Sequence, residues 1–281
     1  LNIDYYFYSQ ASQASSSNNN NFVPSSRMKI TFLGTGTSQG VPLIGCTCNV
    51  CTSPDPRDQR LRSSLLIEDD GKNFVIDTGP DFRQQMLRAG VKNLEAVLYT
   101  HEHKDHVAGI DDVRAFNFIH NKNMPLWATP RVQEAIRREV PYCFDGTDYP
   151  GIPRLDLHAI GADRFVIGST AFMPIEVMHH KMPVTAFRTG DFTYITDANF
   201  IAPAEMEKIR GSRIIVLNAL RRNTHISHFT LDEAVSIVRE LKPEKAYFTH
   251  VSHQLGLYTD VMKELPSGIE LAYDGLEIEC N

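Results

Sequence analysis

Within the six residues that follow Thr100 the chain places three imidazoles and a carboxylate: His101, His103, Asp105 and His106. They come directly after the apolar stretch Leu94, Ala96, Val97, Leu98. Imidazole suits zinc, iron, nickel and manganese, and a carboxylate moves a site towards harder ions. If the segment leaves a strand still extended, residues two apart point the same way. His101, His103 and Asp105 then face one side, with His106 following at the turn. That is too many ligands for one ion with an open position, so the spacing points to two metals held close together. A solvated His-rich loop would explain one lone histidine but not this density.

A second group, Cys46, Cys48 and Cys51, reads as a metal claw, because three thiols so close together suit a structural zinc that needs one more ligand. His253, three residues past His250, is the candidate fourth ligand. A segment passing from strand to turn could send His250 and His253 to different sites. The competing reading is packed cysteines without metal. A redox pair fits less well, since no helix N-terminus stands beside the thiols.

These residues need elements to position them. Lys29 to Leu33 reads as a strand ending in a Gly-rich turn, and Ser64 to Glu68 with Asn73 to Asp77 as a hairpin around Asp70-Gly71. Asp81 to Ala89 reads as a helix closed by Gly90, and Val107 to Ile119 as a helix. Leu94 to Tyr99 and Met124 to Ala128 read as strands. In the second half, Phe172 to Met178 leads to His179-His180, Phe192 to Thr196 to Asp197, Ile214 to Leu217 to a His-bearing loop, and Lys245 to Phe248 to His250. Thr230 and Glu233 form a capping box that opens an amphipathic helix ending before Pro243. Periodicity alone gives an α/β class.

Bulk properties narrow the class further. At 281 residues the chain can bury a full core. A net charge of −6 argues against a protein that coats nucleic acid. Five cysteines, three of them crowded together, are unlike a secreted disulfide framework. Apolar runs stay short of a membrane span. The expectation is a soluble protein of a reducing cytoplasm, without membrane or stable nucleic-acid partners. Ala11 to Asn21 has the Ser/Gln/Asn composition of a disordered tether, and Met28 stands just before the first strand, so residues 1–27 are expected to be a disordered leader, either an extension ahead of a native start at Met28 or a genuine flexible tail. Residues 28–281 are expected to form one domain. Arg57, Arg60 and Arg62 read as a wet basic face.

The His-x-His-x-Asp-His run resembles the signature of the metallo-β-lactamase superfamily. With Gly34-Thr35-Gly36-Thr37-Ser38-Gln39-Gly40-Val41-Pro42, the three cysteines, Thr249-His250-Val251-Ser252-His253 and Tyr273-Asp274-Gly275, the chain resembles the subgroup typified by phosphoribosyl 1,2-cyclic phosphate phosphodiesterase. The resemblance implies an αβ/βα four-layer sandwich of two mixed sheets flanked by helices. It implies that His101, His103 and His179 hold one metal, that Asp105, His106 and His250 hold the other, and that Asp197 bridges them. His179 and His180 are adjacent, and spacing on to Phe187 favours His179. Asp105 and His228 are the implied catalytic residues, with His225 a weaker candidate than His228, and Asp77 is expected to support the His loop. The implied cofactors are two divalent ions, manganese or zinc before iron or nickel, plus one structural zinc. The implied activity is hydrolysis of a small cyclic phosphodiester, in a chain that could form a homodimer. A nuclease, a thioester or lactone hydrolase, and a non-catalytic metal-stabilised binding protein remain open. The core is also similar to ribonuclease Z, but no Gly/Pro-rich arm for gripping tRNA is evident.

Overall fold

A computed structural model describes residues 27–147 and 149–280. The expected leader, apart from Arg27, lies outside the described residues. The first half runs β1 (Met28–Gly34), β2 (Ser64–Asp69), β3 (Lys72–Ile76), α1 (Phe82–Ala89), β4 (Ala96–Leu98), α2 (Lys104–Val107), α3 (Arg114–His120), β5 (Met124–Ala128), α4 (Pro130–Glu139) and β6 (Leu155–Ala159). The second runs β7 (Phe165–Ile167), β8 (Thr170–His179), β9 (Met182–Thr189), β10 (Phe192–Ile195), β11 (Phe200–Ile201), α5 (Pro203–Ile209), β12 (Ile214–Asn218), α6 (Leu231–Leu241), β13 (Lys245–Thr249), α7 (Tyr258–Glu264), β14 (Ile269–Leu271) and β15 (Glu277–Cys280). One sheet has the order β15-β1-β2-β3-β4-β5-β6, and the other β11-β8-β9-β10-β12-β13-β14 with β7 paired to β8. Both are mixed: β3 to β6 run parallel, as do β10, β12, β13 and β14, beside antiparallel hairpins.

Strand alternation sorts the apolar residues into layers. Phe74 and Ile76 of β3 enter a core between the sheets with Phe172, Phe187, Phe192 and Tyr194, while Val75 faces the other way, onto Phe82 and Met86 of α1. Phe74 meets Phe172 edge-on, with ring centroids 5.4 Å apart. On the outer face of the second sheet, Ile215 and Leu217 pack with Leu231, Ala234 and Val238 of α6. Buried layers on both outer faces and one between the sheets make the αβ/βα four-layer sandwich. The Thr230–Glu233 capping box closes as expected, Thr230 Oγ1 accepting from the Glu233 N–H and Glu233 Oε2 from the Thr230 N–H.

Three expectations need correction. The expected helix from Val107 to Ile119 is broken into α2, a 3₁₀ turn at Ile110–Val113 and α3. The break falls where the chain touches the loop after β3: a Cβ on Gly109 would stand 2.1 Å from the Gly79 carbonyl oxygen, and one on Gly79 2.1 Å from that of Asp105. The extended run also stops early, because His103 caps α2 and Asp105 lies in its first turn. Asp105 and His106 therefore reach the same place as helical neighbours, not by strand alternation. Arg60, read as part of a wet face, is buried; its guanidinium donates to Thr35 Oγ1 and the Ala272 carbonyl. Asp274 of the Tyr-Asp-Gly motif accepts from Thr35 Oγ1 and the Leu61 N–H, so this polar knot ties the Gly-rich turn to the C-terminal strands.

Candidate metal centre

The site lies at the carboxyl ends of the parallel strands. β3 leads to Asp77, β4 to His101, β10 to Asp197 and β13 to His250, while the β8–β9 hairpin brings His179. Asp77, Asp197 and His250 have φ of 65°, 55° and 54°, a left-handed conformation that costs energy outside glycine and gathers at functional sites. Asp197 is held open by Asn218, which accepts from the Ala198 N–H and donates to its carbonyl.

Asp197 sits at the centre of a ring of imidazoles. Its Oδ2 lies 3.6 Å from His101 Nε2, 3.4 Å from His106 Nε2 and 3.4 Å from His228 Nε2, and its Oδ1 lies 3.0 Å from His250 Nδ1. His103 Nδ1 is 3.1 Å from His101 Nε2, and Asp105 Oδ2 is 3.1 Å from His106 Nε2. Donor atoms come within 4.8 Å of one another in three overlapping groups: Asp105–His106–Asp197–His250, His101–His103–Asp197 and His179–Asp197–His228. All the residues expected at the metal pair are thus brought together. His179 faces the centre, whereas His180 is exposed, with its backbone N–H donating to Asn199 Oδ1.

Surrounding groups set which ring nitrogen faces inward. Asp77 accepts from the Thr100 N–H and hydroxyl and from His106 Nδ1. With its own proton given to Asp77, Thr100 Oγ1 is left to accept from His101 Nδ1. His179 Nδ1 donates to the Ser227 carbonyl. Nε2 of His101, His106 and His179 is thereby turned inward and left free, as metal ligation requires. His106 Nε2 is buried and makes no hydrogen bond although two carboxylates stand beside it. An orphaned nitrogen among converging carboxylates and imidazoles fits divalent ions. Asp77 was legible as a support; Thr100, Asn218 and Ser63, whose Oγ is 3.2 Å from His250 Nδ1, were not. The only signal for Asn218 was a polar residue closing the apolar run Ile214 to Leu217.

Burial opposes the charged form of His106, but Asp105, Asp197 and Asp77 outweigh it and raise its pKa well above the ordinary imidazole value. Burial instead pushes His101 well down, lowers His179 and brings His250 to about 3, so these rings stay neutral and need no deprotonation to bind a cation. Protons therefore compete with metal chiefly at His106, and affinity rises with pH. Loading at pH 7 should release at least one proton per chain, from His106, with others from the Cys51 thiol and from water on the ions. Titration calorimetry in buffers of different ionisation enthalpy should show it as a buffer-dependent heat; a heat independent of buffer would contradict it.

The claw residues also converge. His253 Nδ1 lies 3.4 Å from Cys46 Sγ and 3.3 Å from Cys48 Sγ, and the four donor atoms of Cys46, Cys48, Cys51 and His253 lie within 4.8 Å of one another. The backbone N–H of Cys51 donates to Cys48 Sγ and that of Leu43 to Cys51 Sγ. The Cys51 N–H and His253 bring the Cys48 thiol down to about 6, while burial pushes Cys51 up to about 11. A thiolate already favoured at neutral pH is the form that binds zinc.

A family model for the β-lactamase superfamily domain matches residues 72–251, which hold the whole cluster around Asp197. The chain belongs to the metallo-β-lactamase superfamily. It has the fold of that superfamily's metal-dependent hydrolases. A solved diphosphatase of the PhnP family is 41% identical, with a TM-score of 0.85 over 90% of this chain and 97% of that one, and this places the chain in that family. Zinc-bound PqqB from Methylobacterium extorquens shares the fold at 18% identity, with a TM-score of 0.73 over 90% of this chain and all of that one. A curated Porphyromonas gingivalis protein named octanoyltransferase is 39% identical over 253 residues, 89% of this chain but 51% of its own length. The chain thus spans about half the length of that relative. No helix among the described residues is long and apolar enough to cross a membrane.

Proposed function

We propose that the chain is a dinuclear-metal phosphodiesterase whose substrate is a small, cyclic phosphodiester of the phosphoribosyl 1,2-cyclic phosphate kind. The observation that carries this reading is the placing of Asp197 between two donor groups, His101–His103 on one side and Asp105–His106–His250 on the other, with the His179 ring 5.1 Å from that of His103 and its donor atom grouped with Asp197 and His228. Divalent ions held there would neutralise charge on phosphoryl oxygens and supply water ionised near neutrality. The rest falls to the chain's own residues. Asp77 and Thr100 keep His106 and His101 in register. Asp105, fixed in the first turn of α2, carries a carboxylate to the second ion position beside His106. His228 is buried with Nε2 towards Asp197, where it can give a proton to a departing alkoxide. A small anionic substrate, not a polynucleotide, also suits the chain's net charge of −6. Zinc in the claw, a cytoplasmic setting and a homodimer belong to the same proposal.

A second reading, cleavage of a diphosphate linkage, is favoured by the diphosphatase relative that the chain matches along nearly its full length. Octanoyl transfer names a protein about twice as long as the matched stretch, so an octanoyl thioester is a comparison arm here and not the expected substrate. The test is turnover by manganese- or zinc-loaded protein of a ribose cyclic phosphate, bis(p-nitrophenyl) phosphate, a nucleoside diphosphate sugar, an octanoyl thioester and an oligonucleotide. The cyclic phosphate should have the highest kcat/KM. Preference for the diphosphate would select the second reading, and oligonucleotide cleavage with salt-sensitive binding would make the chain a nuclease. Metal-loaded protein silent on every arm would point to a binding protein.

A further inference from the structure

His225 was the weaker of the two candidates in the loop before α6, yet it makes the contact that fixes the stronger one. His225 Nδ1 lies 3.2 Å from His228 Nδ1, and Ser227 Oγ lies 3.2 Å from the first and 3.1 Å from the second. His225 is itself pinned, its Nδ1 accepting from the Ser227 N–H at 3.3 Å. The remaining neighbours of His228 hold the plane of its ring: His250 stacks on it with centroids 4.9 Å apart and planes 12° off parallel, and His179 meets it edge-on at 4.5 Å. Stacking still allows the ring to flip by half a turn about Cβ–Cγ, which would exchange Nδ1 with Cδ2 and Nε2 with Cε1, and a hydrogen bond at Nδ1 removes that freedom. With Nδ1 held, Nε2 points at Asp197.

We propose that His225 is a positioning residue that grips His228 by Nδ1 and so aims Nε2 at the leaving-group side of the reaction centre. The proposal rests on the acid role of His228 given above. His228 is buried and His225 only partly so, which puts the anchoring ring on the solvent side of the acid and away from the metal donors. His225 is absent from every group of converging metal-ligand donors among the described residues, so its removal should leave the ions in place.

The test compares two substrates in metal-loaded His225→Ala. One is a ribose cyclic phosphate, whose alkoxide needs a proton to leave; the other is bis(p-nitrophenyl) phosphate, whose p-nitrophenolate does not. On the first, kcat should fall about 10- to 100-fold, the size usual for loss of a group that orients a functional side chain, with KM within about twofold. On the second, the loss should stay under about threefold, because the missing proton transfer is not needed there. Metal content should be unchanged, and His225→Asn, which keeps a hydrogen-bonding atom near the Nδ1 position, should recover most of kcat. Equal losses on both substrates, or a lower metal content, would overturn the proposal in favour of a folding or ligand role. A fully active His225→Ala beside an impaired His228→Ala would overturn it while leaving the acid role intact. A fully active His228→Ala would remove the acid role and this proposal together.

Discussion

His103→Ala should lower kcat/KM by about 10³-fold or more while leaving the protein folded, a loss worth about 4 kcal/mol of transition-state stabilisation. Two features of His103 set this outcome. Its ring stands 3.1 Å from His101 Nε2 in the first donor group, so its loss opens one ion position. It is also exposed, and as N-cap of α2 it makes no side-chain capping bond, so truncation leaves no cavity in the core and removes one contact, that with His101 Nε2. Activity on bis(p-nitrophenyl) phosphate together with a thermal melt separates the two effects. A variant that keeps a tenth or more of wild-type kcat/KM would show that the first ion position is not needed for turnover.

Cys48→Ser should lower the melting temperature by roughly 6–12 °C and leave the protein one zinc ion short. The claw joins segments 207 residues apart in sequence, since Cys46 and His253 meet in it. Chain entropy alone puts a cross-link closing so long a loop at about 5 kcal/mol, of which cross-links typically deliver about 3 kcal/mol, and about 3 kcal/mol moves the melting point of a domain of this size by that amount. Around the claw there is only a small apolar cluster, Val41, Val50 and Cys51 with Leu43 and Leu257 against it, which offers little to replace the ion. The same turn from Val251 to His253 adjoins His250, so activity should fall as the segment loosens, although the active-site ions keep their identity. Unchanged zinc content and an unchanged melt would mean that the cysteines pack without metal. Arg27→Ala should by contrast leave the melt alone, because Arg27 contributes an exposed ion pair with Glu279.

Sequence spacing carried much of this site because metal ligands are read by type. His101 to His106, Asp197 and His250 stand at the ends of apolar strands, and such strands are visible from their composition. Spacing on to Phe187 favoured His179 over His180, and the coordinates supply the reason: the chain turns at His180, with φ 58°, and only one of two adjacent rings can face inward. Arg60 was misread because nothing local marks a guanidinium whose partners, Thr35 and Ala272, lie 25 and 212 residues away. The broken helix after Asp105 was misread for a similar reason. Helical spacing from Val107 onwards is genuine, but the contact of Gly109 with Gly79 that interrupts it is tertiary. Support by Thr100, Ser63 and Asn218 was invisible because Ser, Thr and Asn at strand ends are common and become informative only when their partners are seen.

The central claim is that imidazoles and carboxylates from both sheets cage a pair of divalent ions around Asp197. Its most direct test is elemental analysis of Cys48→Ser protein equilibrated with manganese or zinc at pH 7.5 and freed of excess metal, a preparation in which the claw no longer contributes. The account predicts two ions per chain, and loss of at least one of them in the Cys48→Ser, Asp197→Ala double variant. Protein that retains no ion at the Asp197 cluster, or a double variant that binds as many ions as its parent, would contradict it.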